Sequence, residues 1–162
     1  MTEIYLMTQG HPYWNATMAL AESCSWRAGP VLAKKMRDND FLSWERVCAA
    51  CVDGKPAGFC TFAEKDELPQ EYPFTPFIGF VFVAEPYRGE RLSEQMMQSI
   101  FPYARALGYE IIYIMSGETG LYEKYGFEKT GDYKTIYGTT DQLFRKSIVS
   151  LRRVPLCAAY HP

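Results

Sequence analysis

The chain has 162 residues, of which 48% are hydrophobic, enough for one domain with a buried core. Lys and Arg number 17 against 19 Asp and Glu, and this near balance argues against a nucleic-acid-binding protein, which needs a basic surface. No apolar run approaches the roughly 20 residues of a membrane span and the start lacks a secretion-signal pattern, so we expect a cytoplasmic protein without membrane partners.

The first third of the chain predicts a strand, two helices and a hairpin. EIYLM is typical of a short strand, and Pro12 then opens a helix. One face of this helix is apolar and carries Trp14, Met18, Ala21 and Cys24. VLAKKMRDND predicts a second helix after Gly29 and Pro30. Asp53-Gly54-Lys55 separates the apolar runs ERVCAACV and PAGFCTFA, which is a strong hairpin signal.

The middle of the chain predicts a buried strand, a loop and a long helix. FIGFVFV is continuously apolar, as a strand covered on both faces would be, and it leads into the loop EPYRGE. The apolar residues that follow keep helical spacing from Leu92 to Leu107, and Gly108 is placed to end that helix. Pro102 removes a backbone donor, so we expect a kink there.

The remaining segments complete a mixed α/β pattern. IIYIM predicts another buried strand, GLYEK a short helix, and YKTIYG with QLFRKSI a closing antiparallel pair. This order of elements indicates an α/β sandwich around a partly antiparallel sheet. We expect a single domain over residues 1–150 and a loosely held tail over residues 151–162.

The five cysteines are an odd number in a chain without an export signal, so we expect free thiols. Cys48 and Cys51 form a C-x-x-C, but there is no second pair, and His11 and His161 do not lie at metal-site spacing. The pair falls in a predicted strand, where residues three apart point to opposite faces. The sequence therefore predicts two core thiols and no metal site.

The turn between FIGFVFV and the long helix has the features of an anion site. Amides in the first turn of a helix have no internal partner and lie at the positive end of the helix dipole. Gly89 lets the backbone approach an anion, and Arg88 or Arg91 could add a charge-assisted hydrogen bond. The alternative is an ordinary strand-to-helix turn that binds no anion and whose arginines are solvated. The dinucleotide and P-loop glycine patterns are both absent.

Together with SGETGLYEKYGFEKTG further on, these segments resemble the GNAT family of acetyl-CoA-dependent N-acetyltransferases. The family signature is a buried strand, a glycine-containing loop that opens a helix, a second strand, and a short helix with Y-E-K-x-G-F. FIGFVFV, RGERLS, IIYIM and LYEKYGF stand in that order, and the resemblance covers about residues 46–131. It implies a mixed, mostly antiparallel sheet, splayed between the fourth and fifth strands and flanked by helices.

The resemblance also implies how acetyl-CoA binds. The pantetheine would run along the fourth strand at Phe82 and Val83, whose backbone groups would hold its amides and polarise the thioester carbonyl. The pyrophosphate would lie on the loop and the first turn of the helix, which comprise Arg88, Gly89, Glu90, Arg91, Leu92 and Ser93. The family usually has glycine where this chain has Arg91. We expect a negative φ at Arg91, which would make glycine unnecessary there, and Ser93 could bond a phosphate oxygen itself.

By the same resemblance, Tyr122 is the acid that protonates the departing CoA thiolate, although a packed helix tyrosine is the ordinary alternative. Ser116 and Glu118 are expected near the cofactor arm or the acceptor. The sequence does not choose the general base among Glu71, Glu85 and Glu118. The segments that build the family's acceptor pocket supply the aromatic residues Tyr13, Trp14, Trp26, Trp44, Tyr72 and Phe74, although an ordinary aromatic core explains most of them. The aromatics and carboxylates of the loop EKDELPQEYPFTP would suit a cationic amine with an apolar body.

The resemblance implies an enzyme that moves acetyl from acetyl-CoA to a primary amine of a small molecule or a peptide, in a ternary complex. One alternative is a non-catalytic acyl-CoA-binding module of the same fold. Another is a nucleotide-binding regulatory domain, which would bind adenine nucleotides as well as acetyl-CoA. A homodimer formed through the terminal strands is also compatible with the family.

Overall fold

Seven strands form one sheet in the computed structural model, which describes residues 1–149. In chain order the strands are β1 (Thr2–Met7), β2 (Arg46–Val52), β3 (Lys55–Ala63), β4 (Phe77–Val83), β5 (Ile111–Ser116), β6 (Glu128–Lys134) and β7 (Thr140–Ser147). Their order across the sheet is β1-β2-β3-β4-β5-β7-β6, and every neighbouring pair is antiparallel except the parallel pair β4–β5. The predicted mixed, mostly antiparallel sheet is confirmed. The predicted tail, residues 151–162, lies outside the described residues.

Within the described residues, four α-helices accompany the sheet: α1 (Trp14–Ser23), α2 (Gly29–Arg37), α3 (Leu92–Ala106) and α4 (Leu121–Lys124). The stop predicted for α3 at Gly108 is confirmed, because Gly108 has φ 95° and the Tyr109 N–H closes the helix end on the Ala104 carbonyl. The helix continues through Pro102. No helix in the described part of the chain is long and apolar enough to cross a membrane.

The hairpin between β2 and β3 forms as predicted. Its two-residue turn has Asp53 at φ 49° and Gly54 at φ 79°, both left-handed, as a type I′ turn requires. Asp-Gly is a favoured pair for this turn because glycine carries no steric cost there and aspartate tolerates the conformation. The turn therefore sets the register of the two central strands.

The two faces of the sheet carry different cores. Cys48, Cys60 and Ile78 pack beneath α3, whereas Phe59 and Cys51 pack against α1 and α2. Cys48 and Cys51 thus lie on opposite faces, as predicted, and the four cysteines of the described chain are free. Burial raises the pKa of Cys51 to about 11, so that thiol stays protonated at neutral pH. No metal-binding cluster of His, Cys, Asp or Glu is found within residues 1–149.

The start of the closing strand pair was predicted too late. The first strand of the pair covers Glu128–Lys134, not YKTIYG, and Thr135–Gly138 belongs to the turn before β7. The Thr135 N–H donates to the Thr139 carbonyl at 2.7 Å, and Gly138 has φ 82°. Because β6 is a largely exposed edge strand, its residues carry little of the apolar pattern by which strands are predicted.

Candidate active site

The sheet opens into a fork between β4 and β5. The two strands pair only at Phe77 with Tyr113 and at Ile78 with Ile114. Beyond Ile78, β4 carries an extra residue opposite β3, and Phe80 has the left-handed φ of 49°, which is costly for a bulky side chain. The bulge turns β4 away from β5, so the predicted splay is confirmed. We refer to this opening as the β4–β5 gap.

At the end of β4, the backbone N–H and C=O of Val83 face this gap. Val83 pairs with Gly58, and the next residue, Ala84, donates its N–H to the Ala57 carbonyl at 2.8 Å. Because hydrogen-bonded and non-hydrogen-bonded pairs alternate along an antiparallel ladder, the peptide groups of Val83 point away from β3. Those of the preceding residue, Phe82, point towards β3.

The side chain of Arg88 returns to the end of β4. Its Nε donates to the Val83 carbonyl at 2.9 Å, and its guanidinium carbon lies 5.8 Å from the centre of the Phe82 ring. The Val83 carbonyl therefore already has a hydrogen-bond partner. Because the Arg88 guanidinium is directed to β4, the donors at the first turn of α3 are backbone amides. On the other side, the Phe82 ring stacks on Trp26 with an interplanar angle of 4°.

The loop before α3 corrects one expectation from the sequence. Arg91, for which a negative φ was predicted, has φ 58° and ψ 33° and is the N-cap of α3. Its conformation is therefore the left-handed one that glycine adopts without strain. An ion pair of 2.6 Å between Arg91 Nε and Glu94 Oε2 holds the side chain in place. Gly89 has φ 87°, and nothing lies within 4 Å of the position that a Cβ would occupy.

The first turn of α3 is open to a ligand at its amides. No side chain caps this helix end in the described structure, and Arg88, Gly89, Glu90 and Arg91 are all exposed. The side chain of Leu92, the first residue of α3, is buried in the core. The hydroxyl of Ser93 lies 2.9 Å from that of Tyr125, which joins the start of α3 to the end of α4.

Tyr122 is buried at the other side of the gap, on α4. Its side chain is 4% exposed and packs against Phe127 and Phe144, in the same core cluster as Cys60. Burial raises the pKa of the Tyr122 phenol, and hydrogen bonding to the Ser116 hydroxyl opposes the shift only in part. The group is therefore held as a neutral phenol, the form that can donate a proton.

The loop after β5 brings Ser116 and Glu118 close to Tyr122. The Ser116 hydroxyl accepts the Glu118 N–H at 3.0 Å, and Gln142 Nε2 donates to both of their carbonyls at 3.3 and 3.0 Å. The Glu118 side chain is exposed. Glu71 and Glu85, the other two residues considered as a base, are also exposed.

A carboxyl that the sequence did not single out, Asp66, lies at the fork. Asp66 follows β3, and a Cβ placed on Gly79 would be 2.9 Å from its Oδ1 and 3.2 Å from Thr61 Oγ1. Burial raises the pKa of Asp66 to about 7, with further contributions from the charges of Glu67 and Asp141. In the segment EKDEL, Asp66 is one of three acidic residues among four consecutive charged ones, a pattern typical of a solvated loop.

The aromatic residues expected around an acceptor are divided between the fork and other parts of the fold. The Trp26 ring stacks on Phe82 of β4, next to the gap. Trp44 instead packs against Phe62 and Tyr109, and Trp14 packs against Phe41. Tyr72 and Phe74 stack on each other near Tyr133, and Phe74 also packs on Tyr113, which pairs with Phe77 at the fork. Tyr13 stacks on Tyr5, away from the gap. Two surface depressions, of about 370 and 240 Å³, lie at α3 with Lys146 and at the end of β1 with Phe41. Neither is lined by residues of the gap, so the candidate site is defined by the fork of the strands.

Comparisons with known proteins agree with this geometry. A model of the acetyltransferase (GNAT) family matches residues 14–127. Aminoglycoside 6'-acetyltransferase type Ii is 16% identical, with a TM-score of 0.71 over 91% of this chain and 97% of that one. An aminoglycoside 6'-N-acetyltransferase complexed with coenzyme A is 14% identical, with a TM-score of 0.67 over 91% and 97%.

The structure of a GNAT family acetyltransferase from Elizabethkingia anophelis, with acetyl-CoA bound, is also similar to this chain. It is 18% identical, with a TM-score of 0.61 over 90% of this chain and 97% of that one. The comparison with curated proteins found no match. At these identities the structural likeness shows a shared fold, and the family match covers both the fork and the loop before α3.

Proposed function

This chain belongs to the GNAT acetyltransferase family, and from that membership we propose that it transfers the acetyl group of acetyl-CoA to a primary amine. The acceptor is a small molecule or a peptide, and the amine attacks the thioester directly in a ternary complex. The observation that carries the proposal is the neutral, buried Tyr122 beside a fork whose far end opens onto an uncapped helix terminus.

The residues at the fork fit acetyl-CoA in an extended arrangement along β4. The amides of Gly89, Leu92 and Ser93 would hold the pyrophosphate, because helix-terminal N–H groups and the helix dipole favour an anion. The peptide N–H of Val83 faces the gap and would bind the pantetheine or the thioester carbonyl. The positively charged Arg88 lies between the two ends and adds to the attraction for phosphate.

Tyr122 supplies the proton for the leaving group. A CoA thiolate that departs next to this phenol takes its hydroxyl proton, and the apolar surroundings keep the phenol neutral until then. Cys60, in the same cluster, has a pKa raised by its hydrogen bond to Cys48 and by burial, so it is a neutral thiol and does not compete as a nucleophile.

A non-catalytic acyl-CoA-binding module is the alternative. It is favoured by the strained Arg91 at the N-cap, whose paired Glu94 places a carboxylate in the first turn of α3, where it opposes an anionic ligand. In that case the protein would bind acetyl-CoA without acetylating an amine. Two of the structural neighbours are named as aminoglycoside acetyltransferases, so polyamines and aminoglycosides form the first acceptor panel.

Calorimetric titration with acetyl-CoA, with ADP as the comparison ligand, tests the proposal first. Binding that is selective for acetyl-CoA should be followed by thiol release on addition of 1,4-diaminobutane, an aminoglycoside or a lysine peptide. Equal affinity for ADP and acetyl-CoA would indicate a nucleotide-binding domain. Selective binding without thiol release from any of the three amines would favour the non-catalytic module.

A further inference from the structure

We propose that Asp66 is the general base of the acetyl transfer and accepts the proton of the attacking amine. The inference rests on the proposed function and identifies a residue for a step that the fold match leaves unassigned. Three observations carry it: the position of Asp66 at the fork, its face of the sheet relative to Tyr122, and the charges around it.

The position of Asp66 follows from Gly79. Gly79 is the first residue of β4 beyond the last β4–β5 pair, Ile78 with Ile114, so it marks the point where the gap begins. The Asp66 carboxyl lies directly against it, and only the absence of a side chain at Gly79 leaves room for that oxygen. A ligand extended along β4 from the loop before α3 would have its far end at this point. Asp66 is therefore next to the place where the transferred group would lie.

Asp66 and Tyr122 are on different faces of the sheet. Asp66 lies beside Thr61, and Tyr122 shares a cluster with Cys60, the residue before it on β3. Consecutive strand residues point to opposite faces, so the two ionisable groups flank the fork from opposite sides. The α1–α2 side, where Asp66 lies, is also the side of Trp26. An amine that arrives from that side meets a base, and the leaving thiolate on the other side meets an acid.

The charges around Asp66 suit a base for an ammonium group. Glu67 from the same loop and Asp141 from β7 are negative neighbours, and Lys35 from α2 is the positive one. Burial and the two carboxylates raise the pKa of Asp66 to about 7, against an ordinary value of 3.8. A base with a pKa near neutrality holds a proton well enough to remove it from an amine, and it is about half ionised at pH 7 and mostly ionised at pH 8. The surrounding negative charge also attracts the cationic acceptor.

The acceptor ammonium gives one proton to the Asp66 carboxylate, and its nitrogen lone pair forms the C–N bond to the thioester carbon while the carbonyl π pair moves to oxygen. When the C=O bond forms again, the C–S bond breaks and the sulfur takes the hydroxyl proton of Tyr122. The second nitrogen proton and the proton on Asp66 leave to solvent, and Tyr122 regains one from it. The products are the amide, CoA thiol and one net proton.

The experiment compares wild type with Asp66→Asn and Glu67→Gln. Acetyl transfer to the best amine of the panel is followed by thiol release from pH 5.5 to 9, and acetyl-CoA affinity and Tm are measured for each protein. Asp66→Asn should lower kcat/KM by about 10²–10³-fold and abolish its rise through about pH 7, without weakening acetyl-CoA binding. Glu67→Gln removes one neighbouring charge, so it should change the maximal rate by no more than a few-fold and move that rise to lower pH.

Asp66→Asn with an unchanged pH profile and a rate within three-fold of wild type would overturn the assignment. A large loss together with weakened acetyl-CoA binding or a lowered Tm would show a structural role instead, and would also overturn it. The proposed function fails separately, if wild type does not bind acetyl-CoA.

If acetyl-CoA binds but none of the amines reacts, carboxyl-carbon NMR decides. The titration of Asp66 should move to higher pH on addition of acetyl-CoA, because the acetyl group covers its remaining exposed surface. A titration near pH 4, or one that acetyl-CoA does not move, would exclude Asp66 from the site.

Discussion

Asp66 and Tyr122 lie on opposite faces of the sheet, against the consecutive β3 residues Thr61 and Cys60. Within residues 1–149, the fork between β4 and β5 is the place where a single ligand could reach both of them, because the neighbouring strands are paired along their length. The environments of the two groups are matched to different tasks: burial holds Tyr122 protonated, whereas Asp66 gains and loses its proton near neutral pH.

Tyr122→Phe should separate catalysis from binding. Removing the hydroxyl keeps the ring packed against Phe127 and Phe144, so stability and acetyl-CoA affinity should change little. Turnover should fall by about 10²-fold, because the thiolate loses its proton donor. Steady-state kinetics and calorimetry on the same preparations measure both effects.

The matched control is Tyr125→Phe, which removes a hydroxyl one position beyond the same short helix. The Tyr125 ring packs against Tyr122, but its hydroxyl contacts Ser93 in the first turn of α3, so removing the hydroxyl should affect acetyl-CoA affinity more than turnover. Equal turnover in Tyr122→Phe and wild type would exclude Tyr122 as the acid.

The left-handed conformation of Arg91 predicts an unusual order of stabilities. Both Arg91→Gly and Arg91→Ala remove the ion pair with Glu94, but only glycine is unstrained at φ 58°. Arg91→Gly should therefore exceed Arg91→Ala by about 1 kcal/mol in free energy of unfolding, as measured by urea denaturation.

Arg88 offers the comparison, since its φ of −71° suits any residue. There Arg88→Ala should be the more stable of the two variants, by about 0.5–1 kcal/mol, because glycine has the more flexible unfolded chain. The same order at both positions would mean that the backbone at Arg91 relaxes to negative φ in solution.

The raised pKa of Asp66 predicts how stability depends on pH. Folding disfavours the ionised carboxyl, so the penalty is absent below about pH 4, grows as pH rises towards 7 and is complete above it. Asp66→Asn removes this ionisation, and its Tm relative to wild type should therefore rise between pH 4 and 7 and then stay level. The full difference is on the order of a few kcal/mol, reduced by the solvent that still reaches the group. A Tm difference that does not depend on pH would contradict the raised pKa.

Gly58→Ala should destabilise the strand pair that carries the gap. A Cβ at Gly58 would lie 2.7 Å from the Phe82 carbonyl oxygen, and since that atom is backbone, β3 and β4 must move apart. We expect a loss of about 1–3 kcal/mol in free energy of unfolding together with weaker acetyl-CoA binding. Gly10→Ala is the control, because nothing lies within 4 Å of its added methyl group. Equal stability of the two variants would show that the pair adjusts without cost.

The sequence predicted the parts of the fold that local chemistry decides. The hairpin at Asp53-Gly54 requires two left-handed residues, and few pairs other than Asp-Gly supply them so readily. The opposite placement of Cys48 and Cys51 follows from strand alternation alone. The fork between β4 and β5 was predicted only through the resemblance to a family, because no local pattern marks where two distant strands stop pairing.

The errors concern positions that tertiary structure decides. The φ of Arg91 depends on how the loop joins β4 to α3, and an ion pair with Glu94 holds a conformation that arginine rarely adopts. Asp66 is one charged residue among several in the sequence, and its environment depends on residues far away in the chain: its carboxyl lies against Gly79, and the charge of Asp141 raises its pKa. The sequence therefore indicated that the carboxylates of this loop suit a cationic acceptor, but it did not distinguish Asp66 from the neighbouring acids.

The two-residue contact between β4 and β5 divides the backbone ladder into a four-stranded block and a three-stranded block, β5-β7-β6. The blocks are joined mainly by side chains of the shared core beneath α3, including Ile78, Ile114 and Phe144. A ligand that bonds to the backbone within the gap would lengthen the cooperative unit, so amide hydrogen exchange should slow along both strands at the opening as well as at the atoms it touches. Acetyl-CoA bound in the gap would therefore act as a structural element of the sheet.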